Sequence, residues 1–543
     1  MLKNLSFVFI CLFGCLQISY SQSVSEVKDL DEKFVNWYNL CPKSDKIMGA
    51  SVDKLYNEKL NNNEPNNKII VAVLDSGVDT EHEDLNNKIW VNKNEIPNNG
   101  IDDDKNGYID DINGWNFLGN SKGEIVVKAN YEELRIYRKF LKSYGTDDVN
   151  NIDFADENER ILFLECKAVV DSVVNENAAL KKDFEAISKN MLLAESILKE
   201  HLGIEQVNIQ SVKKMDTPTA KIEWARDVYM LIFELEWDYE FIEGVLEDVN
   251  NVLDYYYNID FDPRDIIGDN PDDINEKQYG NNKEQGVEAV HGTFVAGIIA
   301  GIRNNGIGIN GIAENVRIMP LRVVPDGDEY DKDIANAIYY AVDNGANIIN
   351  MSFGKNYSPN KKMVDDAMKY AEENNVLLVH SAGNEAQNLD EKLSYPNKLC
   401  ADGHILKNWI SVGASDMKKN KYLAGDFSNF GKKYVDVFAP GLNIVSTRPN
   451  NSYDVFNGTS FSSPVVSGVA ALVWSYFPEL TAIELKDILL NSVYELSRKK
   501  VLLPYDYEPI KGKVKFGNLS VTGGIINAYN AFIMAEDYVD NRK

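Results

Sequence analysis

Asn457-Gly458-Thr459-Ser460-Phe461-Ser462-Ser463-Pro464 leads into a run of small and apolar residues from Val465 to Tyr476, which predicts a buried helix. A serine at the start of such a helix sits among amide dipoles that favour developing negative charge. Two other segments match it in kind. Ile69-Ile70-Val71-Ala72-Val73-Leu74 is an unbroken apolar run, read as a buried parallel strand, and it ends in Asp75-Ser76-Gly77. An aspartate at that place stands where open α/β sheets bind ligands. His291-Gly292-Thr293-Phe294-Val295-Ala296-Gly297 opens a second small, apolar helical pattern.

The three polar residues make a chemical set. A serine hydroxyl is a poor nucleophile at neutral pH and must lose its proton as it attacks. An imidazole within hydrogen-bond reach takes that proton, because its pKa lies near working pH. A buried carboxylate on the other ring nitrogen fixes the tautomer and stabilises the imidazolium. A fourth segment, Val376 to Asn384, reads as a strand ending in Ala382-Gly383-Asn384. The Asn384 amide and the Ser460 backbone N–H are then candidate donors to the oxyanion of an acyl-transfer intermediate.

With these motifs in the order Asp, His, Ser, the chain resembles the subtilisin-like serine proteases, for which that order is characteristic. The resemblance covers residues 64–119 and 284–495. It implies that Asp75 orients His291, that His291 shuttles the proton, that Ser460 attacks, and that Asn384 holds the oxyanion. It also implies that the segment Ser352-Phe353-Gly354 pairs with an extended substrate, as an added β-strand does. Two departures stand out. Phe294 sits where the family usually has a second histidine, and Phe461 and Val465 replace its usual methionine and histidine around the nucleophile. These positions pack around the site, so altered packing is expected with activity retained.

The fold expected is α/β, a three-layer sandwich on a mainly parallel sheet, with strands at 68–74, 315–321, 346–352, 375–380, 408–413 and 434–438. Residues 64–120 and 281–543 would form the peptidase domain, 22–63 an N-terminal extension wrapping the core, and 121–280 an all-helical insertion. Within the insertion, apolar residues recur at helical spacing over about 156–201 and 217–257, which predicts an antiparallel helical hairpin joined by a loop over 203–216.

Asp102-Asp103-Asp104-Lys105-Asn106-Gly107-Tyr108-Ile109-Asp110 alternates oxygen donors around a glycine turn, the pattern of a calcium loop. Asp102, Asp104, Asn106, the Tyr108 carbonyl and Asp110 are the expected ligands of a structural Ca2+. No helical pattern flanks the loop, so it is not read as an EF-hand. By the family resemblance, Asp84 is a further calcium ligand, with partners near Asn304 and Asn305.

Residues 1–21 carry a short basic start at Lys3, an apolar core from Leu5 to Ile18 and small residues at Ser19 and Ser21, the pattern of a secretory signal. The rival reading is a lipoprotein signal with Cys15 lipidated. A net charge of −28 argues against nucleic acid and anionic membranes as partners. Three cysteines would remain after cleavage, Cys41, Cys166 and Cys400, which is no disulfide framework and no zinc site. No later segment is long and apolar enough to span a membrane. The sequence thus predicts a monomeric, secreted serine endopeptidase acting on proteins or peptides. Two rivals are a narrow processing enzyme whose cleft the insertion gates and an inactive binding homologue.

Overall fold

The computed structural model describes residues 23–60, 65, 67–286, 289–505 and 512–542. The signal expected at residues 1–21, with Cys15, lies outside them. The chain divides into two compact units, one comprising Met1–Val127 with Arg264–Lys543 and the other Lys128–Pro263.

In the first unit the described strands are β1 (Ile69–Asp75), β2 (Trp115–Asn116), β3 (Val316–Arg322), β4 (Ile348–Met351), β5 (Leu377–Ser381), β6 (Trp409–Ser415), β7 (Val437–Pro440), β8 (Ile444–Arg448), β9 (Ser452–Phe456), β10 (Tyr494–Glu495), β11 (Lys500–Leu502), β12 (Lys513–Lys515) and β13 (Gly524–Ile525). One sheet runs in the order β10-β13-β7-β6-β5-β4-β1-β3-β2, and β8/β9 and β11/β12 form two small antiparallel pairs. Every pairing in the large sheet is parallel except β10 with β13. All six expected strands are present to within three residues at each end.

The side chains of β1 explain the layers. Ile69, Val71 and Val73 face a core shared with the helices Val290–Ala300, Thr459–Tyr476 and Ala482–Asn491. Ala72 and Leu74 face a second core shared with Asp331–Asp343 and Lys361–Glu373. A strand buried on both faces has no use for polar alternation, hence its continuous apolar run. From β1 the chain builds β2 and β3 to one side and β4 to β7 to the other. The reversal of strand order therefore falls at the carboxyl end of β1, beside Asp75.

Before β1, Trp37 and Tyr38 are buried in the first cluster, and Tyr38 donates to the Asn310 carbonyl. The insertion boundaries differ from those expected. Residues 121–127 and 264–280 pack in the first unit, with Val126, Ile267 and Tyr279 in its second core. Polar partners hold them there. Arg264 is buried between Asp269 and Asp333, Lys332 is ion-paired with Asp269, and Tyr279 donates to Asp333 at 2.8 Å. These residues give no periodic apolar signal, which is why composition assigned them to the insertion.

The second unit is helical, as expected, but it is not a simple hairpin. Its long helix, Glu157–Leu202, starts at an Asp156 cap and stops at Gly203 in the left-handed region. Phe163, Cys166, Val170, Phe184, Ala194 and Leu198 of the expected seam are buried. The second arm is split into Ala220–Glu234 and Tyr239–Asn251. Glu236 is left-handed there, Asp238 caps the new helix, and Trp237 packs on Phe184 at 5.5 Å. Two further helices, Glu132–Tyr144 and Ile209–Lys214, lie outside the two expected patterns. Among the described residues no helix is long and apolar enough to cross a membrane.

Candidate active site

Asp75 is the last residue of β1 and is 1% exposed. Its Oδ1 accepts from Nδ1 of His291 at 2.7 Å and from the Ser76 amide at 2.8 Å. His291 is the second residue of its helix, and its side chain is 36% exposed. The helix approaches Asp75 closely because residue 292 is glycine: a Cβ there would stand 2.1 Å from the Gly77 carbonyl oxygen. Burial disfavours the His291 imidazolium, but attraction to Asp75 and the hydrogen bond with it outweigh that effect and raise its pKa above the ordinary value.

Ser460 is the second residue of Thr459–Tyr476, so its backbone N–H has no acceptor within the helix. Its hydroxyl donates to the Ser352 carbonyl at 3.1 Å, and among the described residues no hydrogen bond links it to His291. The Ser352 hydroxyl in turn donates to the Ser460 carbonyl at 2.9 Å and accepts from Asn350 Nδ2 at 2.9 Å. The end of β4 is thereby fastened to the first turn of the Ser460 helix. Asn384 follows β5 at the same edge. Its Oδ1 accepts from both the amide and the hydroxyl of Thr459, each at 2.9 Å. The oxygen is so held, and Asn384 is exposed.

The departures at Phe294 and Phe461 produce an aromatic cluster. Phe461 packs on His291 with ring centroids 5.4 Å apart, on Phe294 at 4.6 Å and on Phe456 at 5.8 Å. Phe294 and Val465 are fully buried. One face of the His291 ring is therefore fixed by carbon, and one edge by Asp75.

The expected calcium ligands do not converge as a set. Asp102 accepts from the amides of Asn106 and Gly107, and Asp110 from those of Asn99 and Gly100. The carboxylates that do converge are Glu95, Asp104 and Asp111, with oxygens within 4.8 Å of one another. Asn106 stays close, its amide bonding both Asp104 and Asp111, while the Tyr108 ring is buried among Trp115, Phe117 and Tyr340. Short turns consume Asp102 and Asp110 locally, and chain folding supplies Glu95 and Asp111 instead. Burial pushes the Asp111 carboxyl up to about 6. Three carboxylates at this spacing repel each other, and an all-oxygen donor set fits a hard cation such as Ca2+. Asp84 is buried and accepts from Asn305 Nδ2 at 2.8 Å, so the expected neighbour is present.

Sequence reasoning missed Thr459 as the residue that orients Asn384, and Glu95 and Asp111 as members of the acidic cluster. Thr459 was visible in the Gly-Thr-Ser motif. Asp111 was visible as the second carboxylate of a pair. Glu95 had no local signal.

The model of the subtilase family matches residues 66–507. The chain belongs to the subtilase family. It is 41% identical over 187 residues to a thermophilic serine proteinase of Bacillus sp. (strain AK1), covering 34% of this chain and 42% of that protein. It is 34% identical over 238 residues to a cell wall-associated protease of Bacillus subtilis (strain 168), covering 44% of this chain and 25% of that protein. It is 35% identical over 210 residues to subtilisin DY of Bacillus licheniformis, covering 38% of this chain and 71% of that protein. The chain thus spans less than half the length of the first two relatives. Among solved structures, it is similar to the prenylagaramide maturation protease at 30% identity and a TM-score of 0.36, covering 45% of this subtilase and 82% of that chain.

Proposed function

We propose that this subtilase is a serine endopeptidase that hydrolyses peptide bonds, with Asp75, His291 and Ser460 as its triad. The observation that carries this is the 2.7 Å bond between His291 Nδ1 and Asp75, at a ring that also touches Phe461, the residue after Ser460. Asp75 holds the proton on Nδ1, which leaves Nε2 as the base. Attack requires the Ser460 hydroxyl to turn from the Ser352 carbonyl to that nitrogen. Catalytic hydrogen bonds commonly form only when substrate is bound.

An extended peptide adds along Ser352-Phe353-Gly354, and its scissile carbonyl meets the Asn384 amide and the Ser460 N–H. The helix N-terminus at Thr459 adds a favourable dipole for the oxyanion. A structural Ca2+ is proposed at Glu95, Asp104 and Asp111, where its charge would offset theirs. The pattern of residues 1–21 supports export from the cytoplasm. The test is digestion of an unfolded protein by the purified chain, with products mapped by mass spectrometry. Internal cuts that vanish in Ser460→Ala are expected. Cleavage that persists in Ser460→Ala, or none by the folded wild type, refutes the reading.

A further inference from the structure

Arg322, the last residue of β3, pairs with Asp75 across the sheet and is 2% exposed. The chemistry above does not use it. Its guanidinium donates to three oxygens of uncharged groups: Nε to the Ser76 carbonyl at 3.0 Å, Nη1 to Asn116 Oδ1 at 3.1 Å and Nη2 to the Val126 carbonyl at 2.7 Å. Its neighbours Leu321 and Val323 are buried apolar residues, and a cation among them is costly to desolvate. A planar fork of donors holds its acceptors in one fixed geometry, which an ammonium on a flexible stem does not.

The first of those acceptors belongs to a residue tied at three points. The Ser76 N–H donates to Asp75 Oδ1 at 2.8 Å. The Ser76 hydroxyl accepts from the N–H of Gly292, the residue after His291, at 3.4 Å. The Ser76 carbonyl takes Arg322. Ser76 thus meets the carboxylate on one side and the helix of the imidazole on another, and the guanidinium fixes the third point. The chain closes over this tie. A Cβ at Gly286, five residues before His291, would stand 2.4 Å from Arg322 Nε, and one at Gly77 would stand 2.1 Å from the Gln285 carbonyl oxygen.

The other two acceptors lie where the chain leaves for the helical unit and returns. Val126 stands two residues before that unit begins at Lys128. Asn116 exchanges backbone hydrogen bonds of 2.9 and 3.1 Å with Asn281, which lies past its end, and their side chains meet at 3.0 Å. One side chain therefore joins both crossings to the turn that follows Asp75.

We propose that Arg322 is a positioning residue for the reaction: through the Ser76 carbonyl it holds the Asp75-Ser76 turn so that Asp75 Oδ1 meets His291 Nδ1, and it anchors that turn to the base of the helical insertion. The inference rests on the hydrolase reading above. Without the guanidinium the Ser76 peptide is free to turn, the carboxylate that it bonds turns with it, and His291 loses part of its partner. Substrate binding should be spared, because β3 and β4 flank β1 on opposite sides and Ser352, after β4, is fastened to the Ser460 helix.

Arg322→Met and Arg322→Lys in the full chain test it. Arg322→Met should lower kcat about tenfold, the scale of one hydrogen bond to a charged group, with KM little changed. It should also move the ascending limb of kcat/KM to lower pH, because the attraction that raises the basicity of His291 is weakened. Arg322→Lys should restore part of both. A folded Arg322→Met with kcat and limb as in the wild type overturns the proposal. So does a loss of activity that only tracks the folded fraction and leaves the limb in place. If Arg322→Met does not fold, the downfield proton resonance of the His291–Asp75 bond decides: it should shift in Arg322→Lys, and an unshifted resonance overturns the proposal. A wild type and an Arg322→Met that take a fluorophosphonate equally fast overturn this proposal alone; a folded wild type that takes none and cleaves no peptide overturns the hydrolase reading with it.

Discussion

Asn384 Oδ1 takes two hydrogen bonds from Thr459, one from its amide and one from its hydroxyl, each 2.9 Å long. Thr459, the residue before Ser460, therefore fixes the orientation of the Asn384 amide. Thr459→Val keeps the shape and the backbone bond but loses the hydroxyl, which also accepts from the Gly383 amide. We expect kcat to fall about fivefold with little change in KM, since a positioning bond of this kind contributes about 1 kcal/mol. Asn384→Ala should cost more, on the order of 10²–10³ in kcat, a scale taken from subtilisin itself. Steady-state kinetics on one peptide checks both.

The pH profile follows from the raised pKa of His291. A general base must be neutral, so a raised pKa moves the rise in activity to higher pH. The ascending limb of kcat/KM should lie above the ordinary histidine value of about 6.5. Asp75→Asn removes the attraction that raises it, so the limb should move to lower pH while the maximum falls steeply. A limb that stays in place would show that Asp75 does not set the basicity of His291.

Phe461 links His291 to Phe294 and Phe456. Phe461→Ala should lower stability by about 3–5 kcal/mol, the cost of emptying a buried aromatic site, and reduce kcat as His291 loses its packing partner. Phe461→Met fills most of the volume and should cost under about 1.5 kcal/mol. Denaturant unfolding read beside kcat separates the two effects.

Arg264 is buried between Asp269 and Asp333 and fastens the return from the helical unit to the helix Asp331–Asp343. Arg264→Met takes the cation from buried Asp333, leaving it the Tyr279 hydroxyl, while Asp269 keeps Lys332, and we expect a loss of about 3–5 kcal/mol in the unfolding of the first unit. A midpoint unchanged from wild type would show that this network does not hold the segment.

Removing calcium should destabilise the chain through Glu95, Asp104 and Asp111. At a hundredfold excess over its dissociation constant, a bound ion adds about 2.7 kcal/mol. Chelation should therefore lower Tm for the wild type. For Asp111→Asn the shift on chelation should shrink, and equal shifts in both would place the ion elsewhere.

Much of this was legible in the sequence, for physical reasons. The strand ending at Asp75 is buried on both faces, so its residues are apolar without a break. The helices of His291 and Ser460 are buried throughout, and they too declare themselves by composition. The acidic loop was recognisable as a turn rich in oxygen donors, but which oxygens converge depends on Glu95 and Asp111, brought in by folding. The split at Glu236 was hidden because Trp237 continues the apolar rhythm while its backbone neighbour leaves the helix. The ion network around Arg264 had no periodicity to read, being specified by pairing of charges distant in sequence.

The most direct test of the central claim is covalent. A fluorophosphonate should label the folded wild-type chain once, on the peptide that contains Ser460, and label neither Ser460→Ala nor, at a comparable rate, His291→Ala. A folded wild type that takes no label, or takes it on another serine, would contradict the account.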